Sequence, residues 1–200
     1  MSMRDVIHVI TGRRQPVTLH TPRLTLRMPE PQDFSSFVQV RRSNKAALQS
    51  VEPTWQPDAL ARSGYRRRMR YAQELWAQQQ GLALFLFLKP ELHLIGGITL
   101  SSLDRGRPGT GMVGYWLDVQ RQGQGLMREA LRELCRYAHH EAGLRRIEAA
   151  VLPENIPSRK LLTACGFIQE GLARSYLRIN GMHQDHLLFA RLHADPLMSE

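Results

Sequence analysis

Two glycines, Gly123 and Gly125, stand between a stretch of alternating residues and a stretch whose apolar residues recur at helical spacing. Across residues 112–119, Val113, Tyr115, Leu117 and Val119 alternate with Gly114, Trp116 and Asp118, the period of a strand with one buried face. Met127, Ala130, Leu131, Leu134, Cys135 and Ala138 then follow with the helical period until Gly143, so a helix is predicted over about 125–142. The glycines therefore fall at a helix start. Unpaired backbone N–H groups and a partial positive charge are concentrated there, and a missing Cβ lets a phosphate or pyrophosphate approach the backbone. The dinucleotide pattern G-x-G-x-x-G fails at its third glycine, where Arg128 stands, and a Gly-Lys-Ser or Gly-Lys-Thr P-loop occurs nowhere in the chain.

Other residues carry chemistry by type. Asn155 and Ser158 lie three apart where a loop gives way to a helix, so propensity leaves open that Ser158 is a helix N-cap and nothing more, with Pro157 compatible. Glu52 is the only acidic residue of the Pro-containing stretch 43–57 and by itself reads as an exposed loop carboxylate. Eight histidines give no metal set. His139 and His140 are adjacent on a helix and point apart, and His183 and His186, an odd number apart on a strand, fall on opposite faces, so no metal is expected.

The run Gln120-Arg121-Gln122-Gly123-Gln124-Gly125 resembles the acyl-CoA signature Q/R-x-x-G-x-G/A of the GNAT acetyltransferase superfamily. The preceding strand, the long helix, a strand at 145–152, Asn155-x-x-Ser158, Leu161-Leu162 and Gly166-Phe167 follow in that family's order. Within the superfamily the chain is similar to the Rim group, the ribosomal-protein-alanine N-acetyltransferases of the RimJ type. That closer resemblance rests on Thr21-Pro22-Arg23-Leu24, Val51-Glu52-Pro53, Gly123-Gln124-Gly125-Leu126-Met127, and Asn180-Gly181 followed by Asp185-His186.

The resemblance implies an α/β (α+β) fold: a mixed, mostly antiparallel twisted sheet with flanking helices and a splayed central strand pair, 112–119 and 145–152. It implies acetyl-CoA as co-substrate. Backbone groups near Leu117 and Val119 would hold the pantetheine arm, and Gln122, Gly123, Gln124, Gly125 and Leu126, followed by Met127, would take the pyrophosphate with Arg121 or Arg128 as charge partner. Asn155 would hold the cofactor, and Ser158 would sit near the thioester sulfur and protonate the departing thiolate, because Leu161 and Leu162 fill the positions where other GNAT enzymes place a tyrosine.

Glu52 matches the group's acidic residue and is the implied base. An α-amine with a pKa of about 8 needs only modest help to become a neutral nucleophile, whereas a lysine at about 10.4 needs more. Tyr176 is a second residue expected near the acceptor channel, unless it only packs. The implied reaction is direct transfer to the N-terminal alanine amine of a ribosomal protein, with that N-terminus or a ribosomal subunit as partner and the enzyme a monomer or homodimer. Two alternatives stand beside it. One is another protein or a small amine such as an antibiotic or polyamine as acceptor; the other is a ribosome-associated assembly factor with secondary catalysis.

The elements that must position these residues follow from the rest of the chain. At 200 residues the length suits one core, expected over 17–193 after a loosely ordered lead-in at 1–16 with a short edge strand at Val6 to Ile10, and before a tail at 194–200. Strands are expected at 17–28, 82–88, 92–100, 112–119, 145–152, 167–179 and 182–191, with Asn180-Gly181 closing the last hairpin. Helices are expected at 32–42, at 58–80 with Asp58 as N-cap, at the central stretch and at 158–164. The net charge of +9 is carried by 27 basic residues, of which only three are lysine. This leaves two readings open, an RNA-facing basic surface or a genome of high GC content. Arg66, Arg67, Arg68 and Arg70 spread around one helix and read as a solvated face. Two cysteines make no disulfide framework and suit a reducing compartment, and the longest apolar run, Leu82 to Leu88, is far short of the ~20 residues a bilayer needs, so a soluble cytoplasmic protein without membrane contact is expected.

Overall fold

The computed structural model describes residues 16–102 and 109–196. The expected lead-in up to residue 15 with its edge strand, the middle of the loop at 101–110 and the end of the tail lie outside the described residues.

One sheet of eight strands runs in the order β1-β2-β3-β4-β5-β6-β8-β7. Its members are β1 Leu19–His20, β2 Leu24–Arg27, β3 Gly81–Leu88, β4 His93–Ser102, β5 Thr110–Leu117, β6 Arg146–Val151, β7 Ile168–Ile179 and β8 Met182–Leu192. Every neighbouring pair is antiparallel except β5 and β6. That parallel join is short: Thr110, Gly111 and Met112 pair with Arg146, Ile147 and Glu148, and no pairing continues beyond them. The two strands then diverge, as the resemblance implied, and the sheet is divided by a seam.

The helices are α1 Phe34–Ser43, α2 Lys45–Gln49, α3 Arg62–Ala77, α4 Leu126–His140 and α5 Ile156–Ala164. Helix α4 is the best patterned. Its Leu126, Met127, Ala130, Leu131, Leu134, Cys135 and Ala138 are all buried against one face of the sheet, with Val113, Ile147, Ala149, Val151 and Phe189. On the other face Phe37 of α1 and Tyr65 of α3 pack on Phe85, Phe87 and Leu94, with Trp116 at the margin. Each fully buried large apolar side chain contributes about 1.5–3 kcal/mol, so both faces are anchored.

Several boundaries differ from the expectation. The strand expected at 17–28 is two short antiparallel strands, because Thr21 turns the chain: its Oγ1 accepts from Leu24 N at 2.9 Å, and Pro22 follows it. Asp58 does not cap α3, which starts four residues later with Ala61 at its N-cap; the Asp58 carboxylate instead binds Ser63 and Arg67. The stretch 43–57 contains the short helix α2. Val119 is not on the strand but in a 3-10 turn, Val119–Arg121, and is 46% exposed. The arginine cluster is not wholly solvated either. Arg67 pairs with Asp58, and the Arg68 guanidinium lies 5.1 Å over the Phe37 ring.

Cys135 and Cys165 are buried free thiols, and burial pushes them up to about 12 and about 11. His139 and His140 both reach the His193 ring, with centroids 5.5 and 5.1 Å apart, at the end of α4 remote from the glycines. Among the described residues no helix is long and apolar enough to cross a membrane, and no group of three His, Cys, Asp or Glu is arranged to hold a metal ion.

Candidate active site

The strand period of β5 ends at Leu117, and Asp118 turns the chain by accepting from Gln120 N at 3.2 Å. Gly123 and Gly125 follow with φ of +73° and +75°, in the left-handed region that L side chains avoid. A Cβ built at Gly123 would meet no atom within 4 Å, so the turn is open to a ligand and not merely folded on itself. Immediately after it α4 begins, and its first N–H groups lack intrahelical partners. Two guanidiniums flank this start: Nη2 of Arg23 and Nη2 of Arg128 come within 3.6 and 3.8 Å of a Cβ placed at Gly125.

The Thr21-Pro22-Arg23-Leu24 segment holds the turn in place. Arg23 donates from its backbone N and its Nε to Glu129 at 2.9 and 2.7 Å, its Nη1 donates to the Gln124 carbonyl at 3.0 Å, and the Thr21 hydroxyl also binds Glu129. Burial alone would raise the Glu129 carboxyl, but these hydrogen bonds outweigh it and hold the group below the usual carboxylate range.

The seam between β5 and β6 opens into a cavity of about 1360 Å³. That exceeds an ordinary small-molecule pocket of about 300–1,000 Å³ and has room for an extended ligand and a second substrate. Glu52, Leu117, Val119, Arg121, Gln122, Gly123, Gln124, Gly125, Leu126, Met127, Asn155 and Ser158 all border it. Alternation along β5 gives the cavity two sides. Tyr115 points to the α4 face with Val113, Trp116 points to the α1 and α3 face, and Gly114, with no atom within 4 Å of an added Cβ, leaves the latter face bare.

On the α4 side Asn155, not Ser158, caps α5: its Oδ1 accepts from Ser158 N at 3.2 Å. The Ser158 hydroxyl is thereby free of capping and lies 2.7 Å from the Tyr115 hydroxyl. Burial raises the Tyr115 phenol far above its ordinary value, and the hydrogen bond to Ser158 opposes that only in part, so the phenol stays protonated. Sequence reasoning missed this partner, because the contact joins a strand to a helix 43 residues away. Val119 also departs from expectation. Its N–H donates to Asn44 Oδ1 at 2.8 Å and its carbonyl accepts from Gln122 N at 3.2 Å, so both backbone groups are used inside the protein.

On the opposite side Glu52 is held by three donors. Arg41 Nη1 and Nη2 reach its two oxygens at 2.7 and 2.6 Å, and Trp55 Nε1 donates at 2.7 Å. The Arg41 guanidinium is sandwiched near the Trp55 and Trp116 rings, 4.2 and 5.1 Å from their centroids. Arg68 borders the same space, where desolvation and then the Arg41 charge lower its pKa. His186 lines this wall as well, whereas Tyr176 is 42% exposed and stands behind it, outside the cavity lining, with its ring centroid 6.0 Å from that of His186.

The Arg41–Glu52 geometry makes a prediction. Glu52→Gln exchanges a bidentate acceptor for a single carbonyl, leaving the 5% exposed Arg41 side chain half-partnered, at a cost of about 1–3 kcal/mol. The melting temperature should fall and the loss of activity should be the same at pH 7 and pH 9. A loss that vanishes at high pH, measured as initial rate across that range, would make Glu52 a proton acceptor instead of a support for the loop.

Comparisons with known proteins agree with this architecture. The family described as acetyltransferase (GNAT) domain matches residues 23–168. The [ribosomal protein uS5]-alanine N-acetyltransferase of Escherichia coli strain K12 is 33% identical over 174 residues, covering 87% of this chain and 90% of the relative. Among solved structures, the ribosomal-protein-S5-alanine acetyltransferase of Vibrio fischeri superposes with a TM-score of 0.81 at 30% identity, covering 90% of this chain and 98% of that one. RimJ of Mycobacterium smegmatis, solved in complex with CoA-disulfide, gives 0.80 at 27% identity over 88% of this chain and 86% of that one. A strand that splays from its parallel neighbour, a glycine turn at the start of a long helix and a match across most of the chain lead to one conclusion: this chain belongs to the GNAT acetyltransferase family.

Proposed function

We propose that this protein transfers the acetyl group of acetyl-CoA to the N-terminal α-amine of a ribosomal protein, with alanine as the first residue of that acceptor. The observation that carries the reading is the two-sided cavity through the β5–β6 seam, with a phosphate-ready helix start on one side and a bare strand face on the other. The donor set fits acetyl-CoA. Gly123 and Gly125 leave space for a pyrophosphate, Arg23 and Arg128 supply charge beside it, and the edge of β5 that faces β6, unpaired beyond Met112, suits the amides of a pantetheine arm. Acetyl-CoA supplies an activated thioester. The chain then has three tasks: to orient the thioester along the seam, to exclude water around it, and to hold a proton at Ser158 Oγ for the leaving sulfur, with the Tyr115 hydroxyl behind it.

The α-amine acceptor is supported by the relatives named for ribosomal-protein alanine acetylation and by chemistry, since an amine of pKa about 8 is partly neutral at pH 7 without a strong base. Residues 17–193 would form the catalytic domain, acting in the cytoplasm where ribosomal proteins are made. The test is acetyl-CoA-dependent thiol release with peptides bearing N-terminal alanine, beside the same peptides with a blocked N-terminus and a free internal lysine. Activity confined to the free N-termini is the expected result. Equal activity on the blocked, lysine-bearing peptides would overturn it.

A further inference from the structure

Strand β8 carries a histidine whose ring is held in a chosen orientation. His186 is 2% exposed and lies on the face of β8 opposite Leu187 and Phe189, whose partners Val151 and Ala149 pack under α4. Alternation therefore turns the imidazole to the Trp116 side of the sheet, where it borders the cavity with Glu52 and Arg41. Its Nδ1 lies 3.0 Å from the Gln184 carbonyl oxygen. A carbonyl only accepts, so Nδ1 carries the ring proton in the neutral form and Nε2 carries the lone pair. Nε2 makes no hydrogen bond among the described residues, yet it is not one of the sealed polar atoms, which are Arg41 Nε, His139 Nε2 and Arg191 Nε. It opens to the cavity.

Glu52 offers no comparable site, since Arg41 binds both of its oxygens. We propose that Nε2 of His186 accepts the proton that the acceptor amine gives up. This rests on acetyl transfer to an amine as the reaction. The nitrogen forms a bond to the acetyl carbon while the carbon–sulfur bond breaks. The proton lost from nitrogen goes to Nε2, giving an imidazolium that solvent discharges, and the departing thiolate takes a proton from Ser158 Oγ, which is reprotonated from solvent. The Gln184 carbonyl stabilises the imidazolium by keeping its Nδ1–H bound. The other charged or titratable groups around the ring are Tyr176 on β7, and the Arg41–Glu52 pair and Arg68 across the cavity; Asp185 is turned away to Ser175 N at 2.8 Å.

The test compares wild type with His186→Asn, whose amide nitrogen can keep the Gln184 contact, and with His186→Ala. All three are assayed with an alanyl peptide, with polyamines and with an internal-lysine peptide from pH 6.5 to 9.5, and acetyl-CoA affinity and melting temperature are measured alongside. The expected result is a kcat/KM for the amine lowered about 100-fold at pH 7, acetyl-CoA affinity changed less than about 3-fold, and a deficit that narrows toward pH 9 as the amine arrives neutral. Added imidazole should restore part of the His186→Ala rate. A full rate in His186→Asn, or a deficit that is neither pH-dependent nor rescued, overturns the assignment while leaving the acetyl-transfer reading intact. Wild-type enzyme silent on every amine, with acetyl-CoA still bound, overturns the acceptor reading and this assignment with it.

Discussion

Gly123→Asp should abolish acetyl-CoA binding, with the dissociation constant rising at least ~100-fold in calorimetry while the fold survives. Two costs add. The backbone at Gly123 sits at φ +73°, where an L residue costs about 1–2 kcal/mol. The new carboxylate then projects into the open space where a Cβ meets nothing within 4 Å, the space that the proposed function gives to the pyrophosphate. Like charges a few ångströms apart cost several kcal/mol more in a partly desolvated site. Gly123→Ala carries the first cost without the second; the strain is borne by free and bound protein alike, so this variant should melt lower but lose less than about 10-fold in affinity. Asp and Ala variants of equal affinity would remove the phosphate from this turn.

Ser158→Ala should lower kcat by about 100-fold, the scale of a lost general acid, while the KM for acetyl-CoA stays within about 3-fold. Its Oγ is excused from capping by Asn155, so the substitution leaves the start of α5 intact. Tyr115→Phe removes the hydroxyl 2.7 Å away and should cost about 10-fold. The informative variant carries both changes. If Tyr115 acts only through Ser158, the double variant is no slower than Ser158→Ala. Losses that multiply would show that the two hydroxyls do not act as one unit.

The strand, turn and central helix were legible in sequence because a period of two meets two glycines and then a period near 3.6, and each signal is local. Met127 to Ala138 carry so complete an apolar stripe that tertiary packing could only confirm it. What sequence could not give depends on distant partners. Propensity left Ser158 open to being a cap until the backbone showed Asn155 in that role, and Tyr115 stood only as one residue of an alternating strand until α5 brought a hydroxyl to it. Glu52 read as an unencumbered carboxylate because nothing local announces that Arg41, eleven residues earlier, binds both of its oxygens. His186 stood in view as part of a family motif, but its tautomer is set by a carbonyl that no side-chain pattern reveals. Asp58 failed as a cap for a related reason: its carboxylate found Arg67 one face along the helix, and a charged partner outbids a backbone N–H.

The alternation of β5 sets how this enzyme can diverge. Under the proposed function Tyr115 and Leu117 serve the thioester and Gly114 and Trp116 the amine, although all four are consecutive in the chain and differ only in the face of the sheet they occupy. Point substitutions at even positions of this strand, or in the separate segment from Glu52 to Arg68, can therefore re-shape the amine side while the Tyr115–Ser158 contact stays in place. A single-residue insertion within β5 does the reverse, exchanging the occupants of the two walls at once. On that reading new acceptors are within reach of one-letter changes, whereas length changes in this strand should abolish activity and be absent from any functional variant library.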